Sequence, residues 1–425
     1  MALLALECVA QKYAWGRAGL GSTVAQLLAA QGGAVDESQP YAELWMGTHA
    51  SGPSAVVLGD GSRQALGAYL AAHPAAGATD PPRAAEIAAH GLPYLFKVLS
   101  VATALSIQAH PDKKAAERLH VARPKDYKDD NHKPEMACAV TEFEALAGFL
   151  PVRAVLEHVK HTPELAALLR EERASAALLK EAAAPSGEAA QQTALKTLFA
   201  TLMTAKPESV AREAAALDKR LRSAADKVRL IPEDALALRL LGQYPGDVGV
   251  FCAYFMVYKV LEPGQSVFLG ANEPHAYLAG DCTEIMACSD NVVRAGLTPK
   301  LRDTDTLVSM LTYSQPGHKN AAYHPGNVLD GVVLDAHSRL YSPPDPAVSE
   351  FQMERTVLDN DKPYSVRVPA VGCILLVLSG EGLADGKTAL KRGAVFFQPA
   401  GSKLMLKRTG PAPLVLFRAS SKGSF

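Results

Sequence analysis

The chain has 425 residues, 48% hydrophobic and 20% charged: the make-up of an ordinary soluble globular protein, long enough for about two to three domains. A formal net charge of −1 gives no global field for nucleic acid or an anionic membrane, so any affinity for phosphate must come from local Lys and Arg. No apolar run approaches the roughly 20 residues of a membrane helix, and the six cysteines (Cys8, Cys138, Cys252, Cys282, Cys288, Cys373) form no CxxC pair, as expected of reduced thiols in a cytosolic protein.

The first ten residues are apolar but lack a basic region and are interrupted by Glu7, which predicts a first strand rather than a signal peptide. Residues 1–150 mix short β runs with Ala-rich helical segments. Leu92–Ser100 and Ala104–His110 read as strands bounded by Pro and Asp. The former carries Lys97, costly in an apolar strand unless it pairs or faces a cavity. In the latter, alternation puts Ser106, Gln108 and His110 on one face. Residues 151–245 change character, with helical spacing at Val210, Ala214, Leu217 and Leu221. Thr162-Pro163-Glu164 is a helix start, and Pro185-Ser-Gly187, Pro207, Pro232 and Pro245-Gly246 divide the segment into about four helices. β character returns from Val248, with Phe251–Val260 read as a strand, and continues in Cys373–Gly380 and Leu414–Phe417. Gly264–His275 resembles Gly393–Lys403 as a weak repeat. Aligning Phe268 with Phe396 puts Lys403 where His275 stands, so the second copy is expected to bind no metal.

Gln108, His110, Glu135 and His275 supply two imidazoles, a carboxylate and an amide oxygen, a mixed N/O set suited to zinc or another borderline divalent metal. The other histidines show no such pattern and are read as structural groups. Lys97, Lys113 and Lys133 lie near this set in sequence and suit a phosphate monoester, with Ser106 adding a hydroxyl. The stretch Tyr277–Lys300 adds Glu284, Asp290, Arg294 and Lys300 among small residues. Val292, Val293 and Leu297 flank Arg294 and predict its partial enclosure, which requires an anionic partner: Asp290, Glu284 or a substrate. The combination points to a metal-dependent enzyme acting on a small anionic substrate.

Over essentially its whole length the chain resembles the type I mannose-6-phosphate isomerases (phosphomannose isomerases). The resemblance rests on Tyr13-Ala-Trp-Gly16, Ala42-Glu-Leu-Trp-Met-Gly-Thr-His49, Gln108-Ala-His-Pro-Asp-Lys113, Asn131-His-Lys-Pro-Glu-Met136 and the Tyr277–Lys300 block. Ala14 departs from the acid or Asn usual in the first motif. The resemblance implies a mainly β protein with an α-helical insertion: a cupin/jelly-roll catalytic domain (1–150 and 246–325), a helical domain (151–245) and a C-terminal jelly roll (326–425). It implies one zinc ion held by Gln108, His110, Glu135 and His275, and Arg294 as a catalytic arginine. Trp15, Glu43, Lys97, Lys133, Tyr277, Glu284, Asp290 and Lys300 would line the sugar-phosphate pocket, with Ser106 and Lys113 added from their positions. The implied reaction converts mannose 6-phosphate to fructose 6-phosphate through an enediol, supplying mannose for GDP-mannose and glycan synthesis. Glu284, Asp290, Lys133 and His132 all remain possible proton-transfer groups. A cytoplasmic monomer without nucleic-acid or membrane partners is expected. The alternatives are a non-catalytic sugar-phosphate-binding bicupin and a cupin glucose-6-phosphate isomerase.

Overall fold

A computed structural model describes residues 2–171, 187–225, 228–318 and 324–425. The expected break at Pro185-Ser186 lies outside these. Apart from a helical insertion, the chain is mostly antiparallel sheet. The central strand, Tyr94–Val101, is buried on both faces, so its sequence is a nearly continuous apolar run rather than an alternation. Tyr94, Phe96 and Val98 pack into a core shared with the second sheet, while Leu99 packs on the opposite side with Ala137, Leu269 and Tyr277.

The organising strand of this first sheet is His275–Ala287. Its first part pairs with Phe143–Phe149 and its second with Tyr94–Val101 and Glu135–Ala139. The change of partner falls at Gly280, whose φ of +105° and close approach to Glu142 admit no side chain: a Cβ would lie 2.2 Å from the Glu142 carbonyl oxygen.

The second sheet joins the start of the chain to its end. Leu4–Glu7 is a strand, as expected, and pairs with Val395–Gln398 through Leu4 opposite Phe397 and Leu6 opposite Val395. The sheets share a strand order. In the first, the path Ser266–Leu269, Glu135–Ala139, His275–Ala287, Tyr94–Val101, Glu43–Gly47, Val9–Gln11 takes, from its far end, the first three of these strands in chain order, then the last, then the fourth and fifth. In the second, Val395–Gln398, Cys373–Ser379, Leu414–Ser420, Gln352–Leu358, Ser338–Tyr341, Val332–Val333 repeats both the adjacency and the sequence of formation. The weak sequence repeat therefore falls on corresponding strands, but its alignment shifts by one residue. Phe268 shares a core with Phe397, whereas Phe396 points to the other face. Keeping faces matched sets Leu404, not Lys403, against His275.

One buried ion pair occurs twice with its signs exchanged. Lys97 faces Glu284 in the first sheet; on the corresponding strands of the second, Glu354 faces Arg418. Arg418 also donates to the Arg367 carbonyl at 2.9 Å and to Gln398 Oε1 at 3.2 Å, and its guanidinium lies 4.4 Å from the Phe425 ring centroid.

Among the described residues the insertion contains the helices Val152–His161, Pro163–Glu171, Glu188–Met203, Pro207–Ala225 and Pro232–Gln243, with proline opening three of them. Their apolar faces, including Val155, Leu165, Phe199, Leu217 and Leu240, pack into one core with Phe149 and Phe255. Arg239 fastens the insertion to the first sheet by donating to Glu144 at 2.9 Å. The strand expected over Phe251–Val260 begins only at Met256, because Val248–Tyr254 is a 3₁₀ helix capped by Asp247. A wholly buried apolar run carries no period to tell the two apart. Among the described residues no helix is long and apolar enough to cross a membrane, and all six cysteines are free.

Glu354→Ala should destabilise the protein by about 3–5 kcal/mol, because it strands a buried guanidinium. The double variant Glu354→Leu/Arg418→Met should recover most of that loss. Denaturant unfolding of the three proteins checks this; a Glu354→Ala protein as stable as the parent would refute it.

Candidate active site

Strand register assembles the site from two rungs. On one, His275 lies opposite Gln108, and Gln108 opposite Arg294. On the other, Trp45 lies opposite Lys97, Lys97 opposite Glu284, and Glu284 opposite Ala137. Directly opposed residues share a face, so both rungs project inward. Of these, Gln108, Arg294, Trp45, Lys97 and Glu284 line a cavity of about 230 Å³ together with Trp15, Glu43, Lys133, Glu135, Tyr277 and Asp290.

At its floor His110, Glu135 and His275 are fully buried, and one ligand atom from each lies within 4.8 Å of the others. The imidazoles are aimed from behind. His110 Nδ1 donates to the Asn291 carbonyl at 2.7 Å and His275 Nδ1 to the Glu273 carbonyl at 3.0 Å. This fixes the tautomer that leaves each Nε2 a free lone pair. Each Nε2 stands 3.4 Å from a Glu135 oxygen, yet neither Nε2 nor Glu135 Oε2 has a hydrogen-bond partner. Buried polar atoms are rarely left so, and three convergent orphans fit a divalent cation. Gln108 faces the same cavity, with its Oε1 3.4 Å from the Ser106 hydroxyl, as strand alternation predicts.

Burial lowers the His110 pKa to about 4, against the pull of Glu135, so the imidazole is a neutral ligand at physiological pH. Burial would raise the Glu135 carboxyl, but Lys133 at 3.1 Å and His110 overcome it and hold the group well below the usual range. Lys97 sits between Glu284 at 3.0 Å and Glu43 at 3.6 Å; burial opposes its charge, but the carboxylates prevail and raise its pKa. The Glu284 carboxyl is pushed up, first by burial and then by Glu135 and Glu43, despite Lys97.

Trp15, Gln108 and Arg294 also border an outer vestibule of about 510 Å³, where Ser106 and Lys300 stand. Arg294 is half-buried and has no ion-pair or hydrogen-bond partner among the described residues. Of the two carboxylates expected to pair with it, Glu284 is engaged by Lys97, while Asp290 lies 3.8 Å from the imidazole of His49, whose pKa burial lowers, and makes no ion pair with Arg294. Two expected site residues are not brought to either space. Lys113 is exposed on the first turn of its helix, 3.6 Å from Asp130, and His132 turns away to Glu350 at 2.5 Å. Sequence reasoning missed Trp45 and His49, which stack edge-on at 5.1 Å and line the cavity. Alternation from Glu43 was signal enough for Trp45. Nothing local marked His49, or the two backbone carbonyls that aim the imidazoles.

Comparison with known proteins agrees with this geometry. Residues 3–152 match the catalytic domain of type I phosphomannose isomerase, and residues 168–256 match its helical insertion domain. The chain is 41% identical over 424 residues to mannose-6-phosphate isomerase of Bos taurus, covering 97% of each. The chain belongs to the type I phosphomannose isomerase family. It is also 40% identical over 430 residues to mannose-6-phosphate isomerase 1 of Arabidopsis thaliana, covering 99% of this chain and 94% of that one. Among solved structures, an arginine-to-alanine mutant of phosphomannose isomerase from Salmonella typhimurium superposes with a TM-score of 0.80 at 28% identity, over 99% of this chain and 100% of that one. A mannose 6-phosphate isomerase bound with zinc and yttrium gives 0.79 at the same identity and coverage. Matching the helical domain of this family accounts for the insertion that interrupts the sheet between Phe149 and Met256.

Elemental analysis of purified protein should find one divalent metal per chain, and Glu135→Ala should abolish it. Chelation should remove activity and zinc restore it. Active protein without metal would contradict the assignment.

Proposed function

We propose that the chain is a zinc-dependent aldose–ketose isomerase that interconverts mannose 6-phosphate and fructose 6-phosphate through an enediol, with the mannose product feeding GDP-mannose synthesis. The observation that carries this is the meeting, around one cavity, of a carboxyl with a raised pKa, an unpaired arginine and Glu135, through which a buried His/Glu/His group reaches it. His110, Glu135, His275 and Gln108 would hold one zinc ion. When bound, it supplies Lewis-acid polarisation and orientation of substrate oxygens.

The chain's own residues divide the remaining work. Isomerisation moves a proton between adjacent carbons, which needs a group able to accept and return it near neutral pH. Glu284 suits this best: burial and its carboxylate neighbours raise its proton affinity, and Lys97 holds it in place. Asp290 and Lys133 also line the cavity, whereas His132 does not. Negative charge developing on oxygen meets Arg294, which keeps its proton through the reaction. Ser106 and Lys300 then receive the phosphate in the vestibule, and Tyr277 and Trp15 shape the walls. The family membership and the strand orders support a cupin-type catalytic domain of residues 1–150 and 246–325, a helical domain of 151–245 and a C-terminal jelly roll of 326–425. In this arrangement the chain's first strand is lent to the C-terminal sheet.

A non-catalytic sugar-phosphate sensor would need no proton-transfer carboxyl, and a glucose-6-phosphate isomerase would share the enediol chemistry. Coupled assays with each hexose phosphate separate the three: turnover is expected with mannose 6-phosphate, and turnover with glucose 6-phosphate alone would overturn the assignment. Arg294→Ala should lower kcat by roughly 10² to 10³, equivalent to about 2.7–4 kcal/mol, with a much smaller change in KM. Arg294→Lys keeps the charge without the planar fork and should recover only part of the rate. Normal turnover in Arg294→Ala would remove it from the chemistry.

A further inference from the structure

Asp247 does more than end the helical insertion. As the cap of the 3₁₀ helix Val248–Tyr254, its Oδ1 accepts from the Gly249 N–H at 2.7 Å. That bond alone completes a cap. The same oxygen also accepts from the Leu297 N–H at 2.8 Å, and Oδ2 accepts from the Thr298 N–H at 3.2 Å, fifty residues away in the chain.

The turn it grips is one that cannot be expected to hold itself. Leu297 has a φ of +54°, a region sterically disfavoured for a leucine, and such a conformation persists only when its surroundings over-determine it. Gly249 and Gly296 interlock beside it: a Cβ on Gly296 would lie 2.6 Å from Gly249 Cα, and a Cβ on Gly249 would lie 2.6 Å from Leu297 N. The neighbouring segment, which leads into the strand paired with that of Arg294, is gripped from the same stretch of chain. Gln243 Oε1 accepts from the Ala104 N–H at 3.1 Å, and the Tyr244 hydroxyl donates to the Ala104 carbonyl at 2.6 Å. Ala104 and the turn at 297–298 both line the vestibule, next to Ser106 in the one segment and to Lys300 in the other.

We infer that Asp247 is a positioning residue for the anion-binding mouth of the enzyme. Its carboxylate fixes the 297–298 turn against the end of the helical insertion, which sets Lys300, just beyond that turn, at the separation from Ser106 that receives the phosphate end of the substrate. Asp247 lines neither the cavity nor the vestibule and acts only through the turn. This inference rests on the reading of Ser106 and Lys300 in the vestibule as the phosphate site.

The test is steady-state kinetics with mannose 6-phosphate on the full-length zinc enzyme. Asp247→Ala removes all three acceptor bonds. Asp247→Asn keeps the shape and one acceptor oxygen but replaces the other with an amide nitrogen that cannot accept. Asp247→Ala should raise KM by roughly tenfold or more, as expected of a small displacement of binding groups, with kcat changed much less and metal content unchanged. Asp247→Asn should recover part of the loss. A purely structural role would instead lower the thermal midpoint and leave KM at the parental value, and that result in folded Asp247→Asn overturns the inference even if Asp247→Ala does not fold. Lys300→Ala, measured alongside, keeps two failures apart. A raised KM in Lys300→Ala with parental KM in both Asp247 variants overturns the positioning role alone. Parental KM in all three overturns the phosphate reading of the vestibule and the positioning role with it.

Discussion

The site is organised by a carboxylate buried between two imidazoles. Removing Glu135 from water is costly unless cations or donors surround it, and the fold supplies Lys133 at 3.1 Å while holding His110 and His275 at 3.4 Å. His110 does not relieve it by protonation, because burial drives its pKa down to about 4, and the Nδ1–H of each imidazole is turned to a backbone carbonyl, away from the carboxylate. The floor of the cavity is thus a fixed set of lone pairs awaiting positive charge. Much else follows from keeping that set in place: the long strand bent at Gly280, the pairing of Gln108 with His275, and the loop whose Asn291 carbonyl steers His110.

The two sheets show what the same topology does with and without such a floor. Each carries a buried ion pair across the same two strands, with signs exchanged. In the first sheet Lys97 serves two carboxylates, 3.0 and 3.6 Å away, and the group faces an open cavity where a substrate can compete for it. In the second, the Arg418 guanidinium is closed off by a carboxylate, a backbone carbonyl, the Gln398 amide and the Phe425 ring. A lysine that shares its charge between two acceptors beside a cavity is suited to chemistry. An arginine with both terminal nitrogens bonded and its face covered is suited to holding a fold.

Much of this was legible in the sequence where local pattern and chemistry coincide. Alternation put Ser106 and Gln108 on one face, Lys97 was singled out as a charge in an apolar strand, and the mixed N/O donor set marked His110, Glu135 and His275 before any geometry was known. What stayed hidden depends on contacts distant in sequence. Lys113 lies three residues beyond His110, yet helix geometry turns it to solvent, and His132 is captured by Glu350 from the far sheet. Proximity in sequence was a poor guide to proximity in space for both. Arg294 was expected to be partly enclosed, and it is half-buried; that Glu284 is taken by Lys97 and so leaves Arg294 without it is something no single-strand pattern reveals.

The helical insertion then takes on a role its composition did not suggest. Its described helices are tied together by an apolar core. Yet its last residues reach both lips of the vestibule, through Gln243 and Tyr244 to Ala104 and through Asp247 to Leu297 and Thr298. Because Phe149 and Phe255 belong to that same apolar core, its packing is continuous with the strands that carry the metal ligands. Rigidity of the insertion is therefore passed to the mouth by hydrogen bonds and to the floor by packing. A loop of arbitrary length could close the chain between Phe149 and Met256, but it could not fix two lips against a common support. That requirement gives a physical reason for placing a folded domain, rather than a linker, between the strands.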